Sequence, residues 1–226
     1  MLLILGVTGS IATGKSSLCA HLVERYSAIH ADGDRVVHRM YGPGRPGFDR
    51  IVEAFGAGVV GDDGMIDRRV LGGMVFGNAE RMKALTTAIG DIKAEMKRIV
   101  DEWRSELPSD AIAILEAVNL IEESYAEWMD ATWLVGVDDE IALPRLMARN
   151  GLTEAEARQR LASATPWTVR APAADRVFLN ERAPDAFLVE VDAAIEETLA
   201  AHRSGSLGET QFTRWRREIE AAGGGA

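Results

Sequence analysis

Residues 1–17 read MLLILGVTGSIATGKSS, and this stretch decides the fold. An apolar run is followed by a polar loop and then by a helical pattern, which predicts a strand, a loop and a helix. The loop has the spacing G-x-x-x-x-G-K-S from Gly9 to Ser16. Gly9 and Gly14 allow backbone turns that a Cβ would obstruct, so that consecutive N–H groups point at one anion. The stretch therefore predicts a phosphate-binding loop for a nucleoside triphosphate.

The residues that follow the second glycine have expected roles in this loop. The helix that begins near Lys15 adds the positive end of its dipole to the anion site. We expect Lys15 to reach the outer phosphates and the Ser16 hydroxyl to ligate the accompanying Mg²⁺. The predicted ATP-binding residues of the loop are Gly9, Ser10, Ile11, Ala12, Thr13, Gly14, Lys15, Ser16 and Ser17. A glycine-containing turn that binds nothing is the alternative, and the loop alone does not distinguish a kinase from an ATPase or a GTPase.

The composition is that of an ordinary globular protein. The 226 residues are 47% hydrophobic and 27% charged, which suits a single core with room for a subdomain. The net charge of −10 argues against a general nucleic-acid or anionic-membrane surface. The only cysteine, Cys19, excludes an intramolecular disulfide and a cysteine-rich zinc site, and we expect it in the core. We expect no signal peptide or transmembrane helix, and a cytoplasmic location.

Strands alternate with helices along the chain, which predicts a mostly parallel sheet covered on both faces. The expected strands are 2–7, 28–31, 111–115, 132–137 and 177–179. The expected helices include 15–26, 35–41, 48–55, 79–103, 120–128, 153–164 and 184–201, with a helical piece at 212–219 before a loose glycine-rich end. Ligands of such sheets bind beyond the carboxyl ends of the strands.

Asp32 and Asp34 directly follow the second expected strand. A carboxylate at that place can accept a proton from an attacking hydroxyl or hold Mg²⁺ through water. The ordinary role of such residues is a turn or a helix cap. The phosphate loop upstream favours the functional interpretation.

Five further segments carry a resemblance to a known family. They read DGDRVVH at 32–38, GPGRP at 42–46, IVEAFG at 51–56, LPRLMAR at 143–149 and ADRVFLN at 174–180. In combination they resemble the dephospho-CoA kinase family over roughly residues 2–200. The resemblance implies transfer of the ATP γ-phosphate to the 3′-hydroxyl of dephospho-CoA, giving CoA and ADP, with ATP and Mg²⁺ as cofactors. It implies small-molecule partners, no nucleic acid or membrane, and a monomer or small homo-oligomer.

The resemblance also implies the fold and its parts. The fold class is α/β, the three-layer P-loop kinase fold, with a five-stranded parallel sheet, a helical substrate subdomain and a lid. The kinase domain is expected at 1–203, with its core at about 1–34, 108–140 and 174–203. A helical acceptor subdomain is expected at about 35–107, a lid at about 141–173 and a peripheral tail at 204–226.

Residue roles follow by position in the family pattern. Asp34 matches the base, Asp32 its companion acid, and Arg145 and Arg149 the lid arginines, which offset charge on the transferring phosphoryl group. The expected catalytic residues are Asp34, Asp32, Lys15 and Arg145; Arg149 and Asn180 are expected to bind ATP; and the expected acceptor contacts are Thr8, Asp32, Asp34, His38, Arg68, Asn119 and Glu122. For the lid arginines and His38, a solvated helix face is the ordinary alternative.

The chain departs from the family pattern on the acceptor side. A usual His-Pro pair is replaced by AIGD at 88–91, and a usual Pro-Leu-Leu-x-Glu segment by VNLIE at 118–122. An arginine common after the lid corresponds to Trp167, although Arg170 is close by. Two alternatives therefore stay open. The protein is a P-loop kinase that acts on another nucleoside or nucleotide, or it is a nucleotide-binding regulatory protein with little turnover.

Overall fold

A computed structural model gives the structure of the protein and describes residues Met1–Gly223. The glycine-rich end that was expected to be loose, at 224–226, lies outside the described residues. Contacts divide the chain into two compact units. One consists of Met1–Ala31 together with the described residues from Val100 onward, and the other of Asp32–Ile99.

Five strands form one sheet in the order β2-β3-β1-β4-β5. The strands are β1 Leu3–Thr8, β2 Ile29–Asp32, β3 Ile112–Glu116, β4 Ala131–Gly136 and β5 Arg176–Leu179. β1 runs parallel to both β3 and β4, and β4 runs parallel to β5. Every residue of β1, β3 and β4 is buried, as expected for a parallel sheet with both faces covered. The predicted fold class is confirmed.

Helices connect the strands and build most of the second unit. The helices are α1 Lys15–Tyr26, α2 Gly33–Met40, α3 Pro46–Phe55, α4 Arg68–Val75, α5 Ala79–Ile89, α6 Ile92–Glu106, α7 Asp139–Asn150, α8 Glu154–Ala162, α9 Trp167–Arg170, α10 Pro184–Arg203 and α11 Gln211–Gly223. Short 3₁₀ helices lie at Ala57–Val59, Tyr125–Trp128 and Ala171–Ala173. Within the described part of the chain, no helix is both long and apolar enough to cross a membrane.

Two helix predictions were wrong. The helix expected at 79–103 is two helices, because Gly90 has a φ of +107° and the Asp91 carboxylate then accepts a hydrogen bond from the N–H of Ala94 at 2.8 Å. That contact caps a new helix. The helix expected at 120–128 is mostly turn, since Ser124 takes a left-handed φ of +60° and only a 3₁₀ turn follows it.

Helices α1 and α10 pack against the sheet in the first unit. Their core residues include Leu18, Cys19, Val191 and Ile195, all fully buried. The prediction that Cys19 is a buried core residue is therefore confirmed. At the edge of this core, Asp192 of α10 accepts hydrogen bonds from His21 Nε2 at 2.7 Å and from the Tyr26 hydroxyl at 3.1 Å.

The second unit has its own apolar core. Its fully or nearly buried members are Tyr41, Ile51, Val59, Ile66, Leu71, Val75, Ala88 and Ile89. The guanidinium of Arg50 donates to the carbonyls of Ala88 at 2.7 Å and Ile89 at 3.2 Å. These carbonyls belong to the last turn of α5, which has no intrahelical donors for them. Arg50 therefore supplies the missing hydrogen-bond donors at the end of α5, within the AIGD segment.

The C-terminal helix α11 has a buried contact with the rest of the first unit. Phe212 is 1% exposed, and the backbone N–H of Gln211 donates to the Asp175 carboxylate at 2.7 Å. The other oxygen of Asp175 accepts the N–H of Thr132 in β4 at 2.7 Å. One carboxylate thus connects the start of α11 to the sheet.

We expect Gly6→Ala to lower the free energy of unfolding by about 1–3 kcal/mol, because the new methyl group overpacks the core. A Cβ at Gly6 would lie 2.8 Å from Met129 Cγ and 3.0 Å from the Leu120 methyl groups. Urea denaturation followed by circular dichroism measures the change. The matched control is Gly73→Ala in α4, where a Cβ meets no atom within 4 Å. We expect this substitution to raise the free energy of unfolding by about 0.5–1 kcal/mol, because alanine favours a helix more than glycine does. Equal midpoints for wild type and Gly6→Ala would contradict the expectation.

The carboxylate of Asp192 should make stability depend on pH. Burial raises its pKa, but the hydrogen bonds from His21 and Tyr26 lower it more, so the pKa lies below the ordinary value. The stabilisation is therefore present at neutral pH and is lost as the pH falls through the acidic range. We expect Asp192→Asn to lower stability by about 1 kcal/mol at pH 7, or about 2–4 °C in Tm, and progressively less below about pH 4. Thermal melts of wild type and Asp192→Asn from pH 7 to pH 3, with Glu190→Gln as the control, test this expectation. A Tm difference between wild type and Asp192→Asn that does not change with pH would contradict it.

Candidate active site

The loop between β1 and α1 has the backbone of an anion site. Gly9 has a φ of +147° and Gly14 a φ of +98°. A Cβ at Gly9 would lie 2.3 Å from the carbonyl oxygen of Val135, and one at Gly14 would lie 2.2 Å from Asn180 Nδ2. Both positions therefore require glycine. Helix α1 begins after Gly14 with neither a capping side chain nor an acidic residue in its first turn, so its N–H groups are suited to an anionic ligand.

Side chains hold this loop in place. The carbonyl of Ser10 accepts hydrogen bonds from Lys15 Nζ at 2.9 Å and from the Thr13 hydroxyl at 3.1 Å. The Ser10 hydroxyl donates to the carbonyl of Thr165 at 2.8 Å, and Asn180 Nδ2 donates to the carbonyl of Thr13 at 2.9 Å. Lys15 is 8% exposed. The structure thus brings Asn180 against the phosphate loop.

Glu116 is a site residue that the sequence prediction missed. Its Oε1 accepts a hydrogen bond from the Ser16 hydroxyl at 2.9 Å, and its Oε2 lies 3.1 Å from His30 Nε2. Burial raises the pKa of Glu116, but the hydrogen bonds from His30 and Ser16 and the charge of Lys15 lower it more, so its pKa lies below the ordinary value. The signal for Glu116 in the sequence was a charged residue at the end of an apolar strand.

The oxygen atoms of Ser16 and Glu116 fit Mg²⁺. This ion prefers hard oxygen ligands, and P-loop proteins hold it with the loop Ser or Thr and an acidic residue on a neighbouring strand. Glu116 is the last residue of β3, which pairs with β1. The donor set is therefore the expected one for a magnesium ion that accompanies a nucleotide.

The segment predicted to form the lid contacts the same loop. Ile11 and Ala12 pack against an apolar cluster formed by α7, α8 and the residue that follows β4, and its buried members are Val137, Ala142, Leu143, Leu146, Ala157 and Leu161. Arg145 Nη1 in α7 is buried and has no hydrogen-bond partner among the described residues. A buried guanidinium nitrogen in need of an acceptor suits a phosphate oxygen. Arg149 is exposed and donates to the side chain of Asn150.

The predicted acceptor residues of the first unit have varied surroundings. The Thr8 hydroxyl is buried and donates to the carbonyl of Val118 at 2.9 Å. Asn119 is exposed. Glu122 accepts a hydrogen bond of 2.6 Å from Arg170, which is 5% exposed. Arg170 Nη1 is also buried without a hydrogen-bond partner in the described part of the chain.

In the second unit, Asp32 caps helix α2. One oxygen of Asp32 accepts the N–H groups of Asp34 at 2.9 Å and Arg35 at 3.2 Å, while Asp34 is exposed. Arg68 Nη1 lies 3.1 Å from His38 Nδ1, so the structure brings these two predicted acceptor residues together. Burial, and secondarily Arg68, lower the pKa of His38, which keeps the imidazole neutral at pH 7.

The dephospho-CoA kinase family model matches residues 3–185. This chain belongs to the dephospho-CoA kinase family. It is 38% identical to the dephospho-CoA kinase of Symbiobacterium thermophilum over 192 residues, which cover 84% of this chain and 79% of the relative. It is 37% identical to that of Geobacter sulfurreducens over 201 residues, covering 87% and 97%. The predicted family is confirmed, and with it the class of phosphotransferase with an alcohol group as acceptor.

Solved structures support the same fold. The crystal structure of TT1252 from Thermus thermophilus has a TM-score of 0.69 at 29% identity, covering 86% of this chain and 97% of that one. Dephospho-CoA kinase from Campylobacter jejuni has a TM-score of 0.59 at 21% identity, covering 87% and 97%. Shikimate kinase from Bacteroides thetaiotaomicron, at 13% identity and a TM-score of 0.51, covers 86% and 98% and shares the fold alone.

We expect Glu116→Gln to lower kcat by about 10- to 100-fold and to raise the Mg²⁺ concentration needed for half-maximal activity. Glutamine keeps a hydrogen-bond acceptor for Ser16 but removes the negative charge. Steady-state kinetics at a range of Mg²⁺ concentrations measure both effects. Glu122→Gln, a neutralised carboxylate paired with Arg170, is the control and should leave the Mg²⁺ dependence unchanged. An unchanged Mg²⁺ dependence in Glu116→Gln would remove Glu116 from the metal site.

Proposed function

We propose that this protein transfers the γ-phosphate of ATP to the 3′-hydroxyl of dephospho-CoA, giving CoA and ADP. The observation that carries the proposal is a phosphate loop with the required backbone, in a chain that belongs to the dephospho-CoA kinase family. The reaction needs a cradle for triphosphate, cationic groups for the charge that develops on the leaving phosphate, and a base for the acceptor hydroxyl. The chain has residues suited to each task.

The nucleotide side of the mechanism uses the phosphate loop and the lid. The N–H groups of the loop and of the first turn of α1 would bind the phosphates, with Lys15 beside the outer ones. Ser16, with Glu116, would hold the Mg²⁺, which neutralises charge on the phosphates when bound. Arg145 is supported as a phosphate ligand by its buried Nη1 atom, which lacks a protein acceptor. Arg149 and Asn180 complete the proposed ATP contacts.

The acceptor side of the mechanism uses the residues that the family pattern implies. We assign Asp34 as the base, because the Asp32 carboxylate is already engaged by two backbone N–H groups and an ion pair with Arg35 at 3.4 Å. The remaining proposed acceptor contacts are Thr8, Asp32, His38, Arg68, Asn119 and Glu122. A neutral His38 can donate a hydrogen bond from Nε2 while its Nδ1 accepts from Arg68.

The direct test is ADP release from Mg·ATP in the presence of dephospho-CoA, compared with ATP alone and with a panel of nucleosides and nucleotides. Release that depends on dephospho-CoA, with CoA identified by mass, supports the proposal. Stimulation by another acceptor alone would retain the kinase and change its substrate. ATP binding without turnover on any acceptor would favour the regulatory alternative.

Two carboxylate variants distinguish the base from its neighbour. We expect Asp34→Asn to lower kcat by about 10²- to 10⁴-fold, because the acceptor hydroxyl loses its proton acceptor. Asp32→Asn is the matched control, since asparagine caps a helix as well as aspartate and only the charge is removed. The two variants are compared by their kcat at saturating ATP and dephospho-CoA and by their affinity for ATP. Near-wild-type kcat in Asp34→Asn with a severe loss in Asp32→Asn would reverse the assignment.

A further inference from the structure

Three side chains with metal-binding atoms converge behind the phosphate loop. They are Cys19 of α1, His30 of β2 and Glu116 of β3, and their ligand atoms all lie within 4.8 Å of one another. Each comes from a different element of the first unit, so the cluster is a product of the fold rather than of one local turn. Cys19 and Glu116 are buried, and the His30 side chain is 24% exposed.

We propose that Cys19, His30 and Glu116 form a binding site for Zn²⁺. Zinc lies about 2.3 Å from a cysteine sulfur and about 2.0 Å from a histidine nitrogen or carboxylate oxygen, so tetrahedral ligand atoms stand about 3.3–3.8 Å apart. Side-chain shifts on the order of 1 Å bring the three atoms to that spacing. Three protein ligands leave a fourth position for water on the partly exposed side of His30.

The ligand set selects zinc over magnesium. A thiolate and an imidazole are ligands for borderline and soft metals, whereas Mg²⁺ takes oxygen. The Ser16–Glu116 pair and the Cys19–His30–Glu116 cluster therefore differ in metal preference although they share one carboxylate. Two chemically distinct cation sites meet at Glu116.

Because Glu116 belongs to both cation sites, bound zinc affects catalysis. The carboxylate hydrogen-bonds the Ser16 hydroxyl, and Cys19 lies one helical turn after Ser16 on α1. Zinc bound to Glu116 draws negative charge away from the magnesium site and slows phosphoryl transfer. This inhibition rests on the proposed kinase activity, whereas zinc binding itself does not.

Metal binding is tested on the whole chain, freed of metal, by Zn²⁺ titration against a chromophoric chelator and by Co²⁺ absorption. We expect one Zn²⁺ per chain and a thiolate-to-cobalt charge-transfer band. Cys19→Ser and His30→Gln should each weaken binding by about tenfold or more. His21→Gln, which changes a histidine of α1 that contacts Asp192, is the matched control and should bind as wild type does.

Equal zinc affinity in all four proteins, or Co²⁺ bound without the thiolate band, would overturn the site. If Cys19→Ser fails to fold, as judged by circular dichroism, His30→Gln and the cobalt spectrum of the wild type decide.

A kinase assay at fixed Mg·ATP forms the second arm. Zinc should inhibit the wild type and leave Cys19→Ser largely uninhibited, each compared with its own activity in the absence of zinc. Equal inhibition of both would overturn the catalytic consequence. Absence of dephospho-CoA phosphorylation in every protein would refute the proposed function, and the titrations would still decide the zinc site.

Discussion

The start of helix α1 is the constraint on which the rest of the structure depends. A helix leaves its first N–H groups without backbone partners, and most helices satisfy some of them with a side chain. Here α2, α4, α7 and α8 are capped by Asp32, Asp67, Asp138 and Thr153, respectively. Helix α1 begins instead at a left-handed glycine with no capping side chain. The fold therefore keeps an anion site open at the point where β1 ends, and the neighbouring side chains fix the loop around it.

The phosphate loop could be predicted from the sequence, because anion binding there depends on the backbone conformation that the glycines allow. Gly9 and Gly14 have the positive φ values that the motif requires, and Lys15 lies against the loop. Parallel strands were predictable because β1, β3 and β4 are mostly apolar, as strands covered on both faces are. Local sequence patterns were therefore sufficient to predict both the fold class and the phosphate loop.

Contacts between distant segments could not be predicted in the same way. Glu116 contacts Ser16 across 100 positions of sequence, and only the adjacency of β3 and β1 brings them together. The hydrogen bond from Arg170 to Glu122 likewise depends on how two segments 48 positions apart in the sequence pack together. The break at Gly90 was missed because apolar periodicity continues on both sides of it, and one positive φ ended the helix. The acceptor roles of residues 35–107 and the lid role of 141–173 stay predictions.

The central position of β1 has a consequence for how the chain folds as it is synthesised. β1 pairs Leu3 with Ile112 and Leu5 with Ala131, so both of its partner strands are synthesised more than a hundred residues after it. At ribosomal rates of about 5–20 residues per second, this apolar strand waits on the order of 5–20 s before a neighbour is available. The helices of Asp32–Ile99 emerge during that interval, and the local contacts of helices form quickly. The nascent chain therefore completes its phosphate loop only after the strands that pair with β1 have been made.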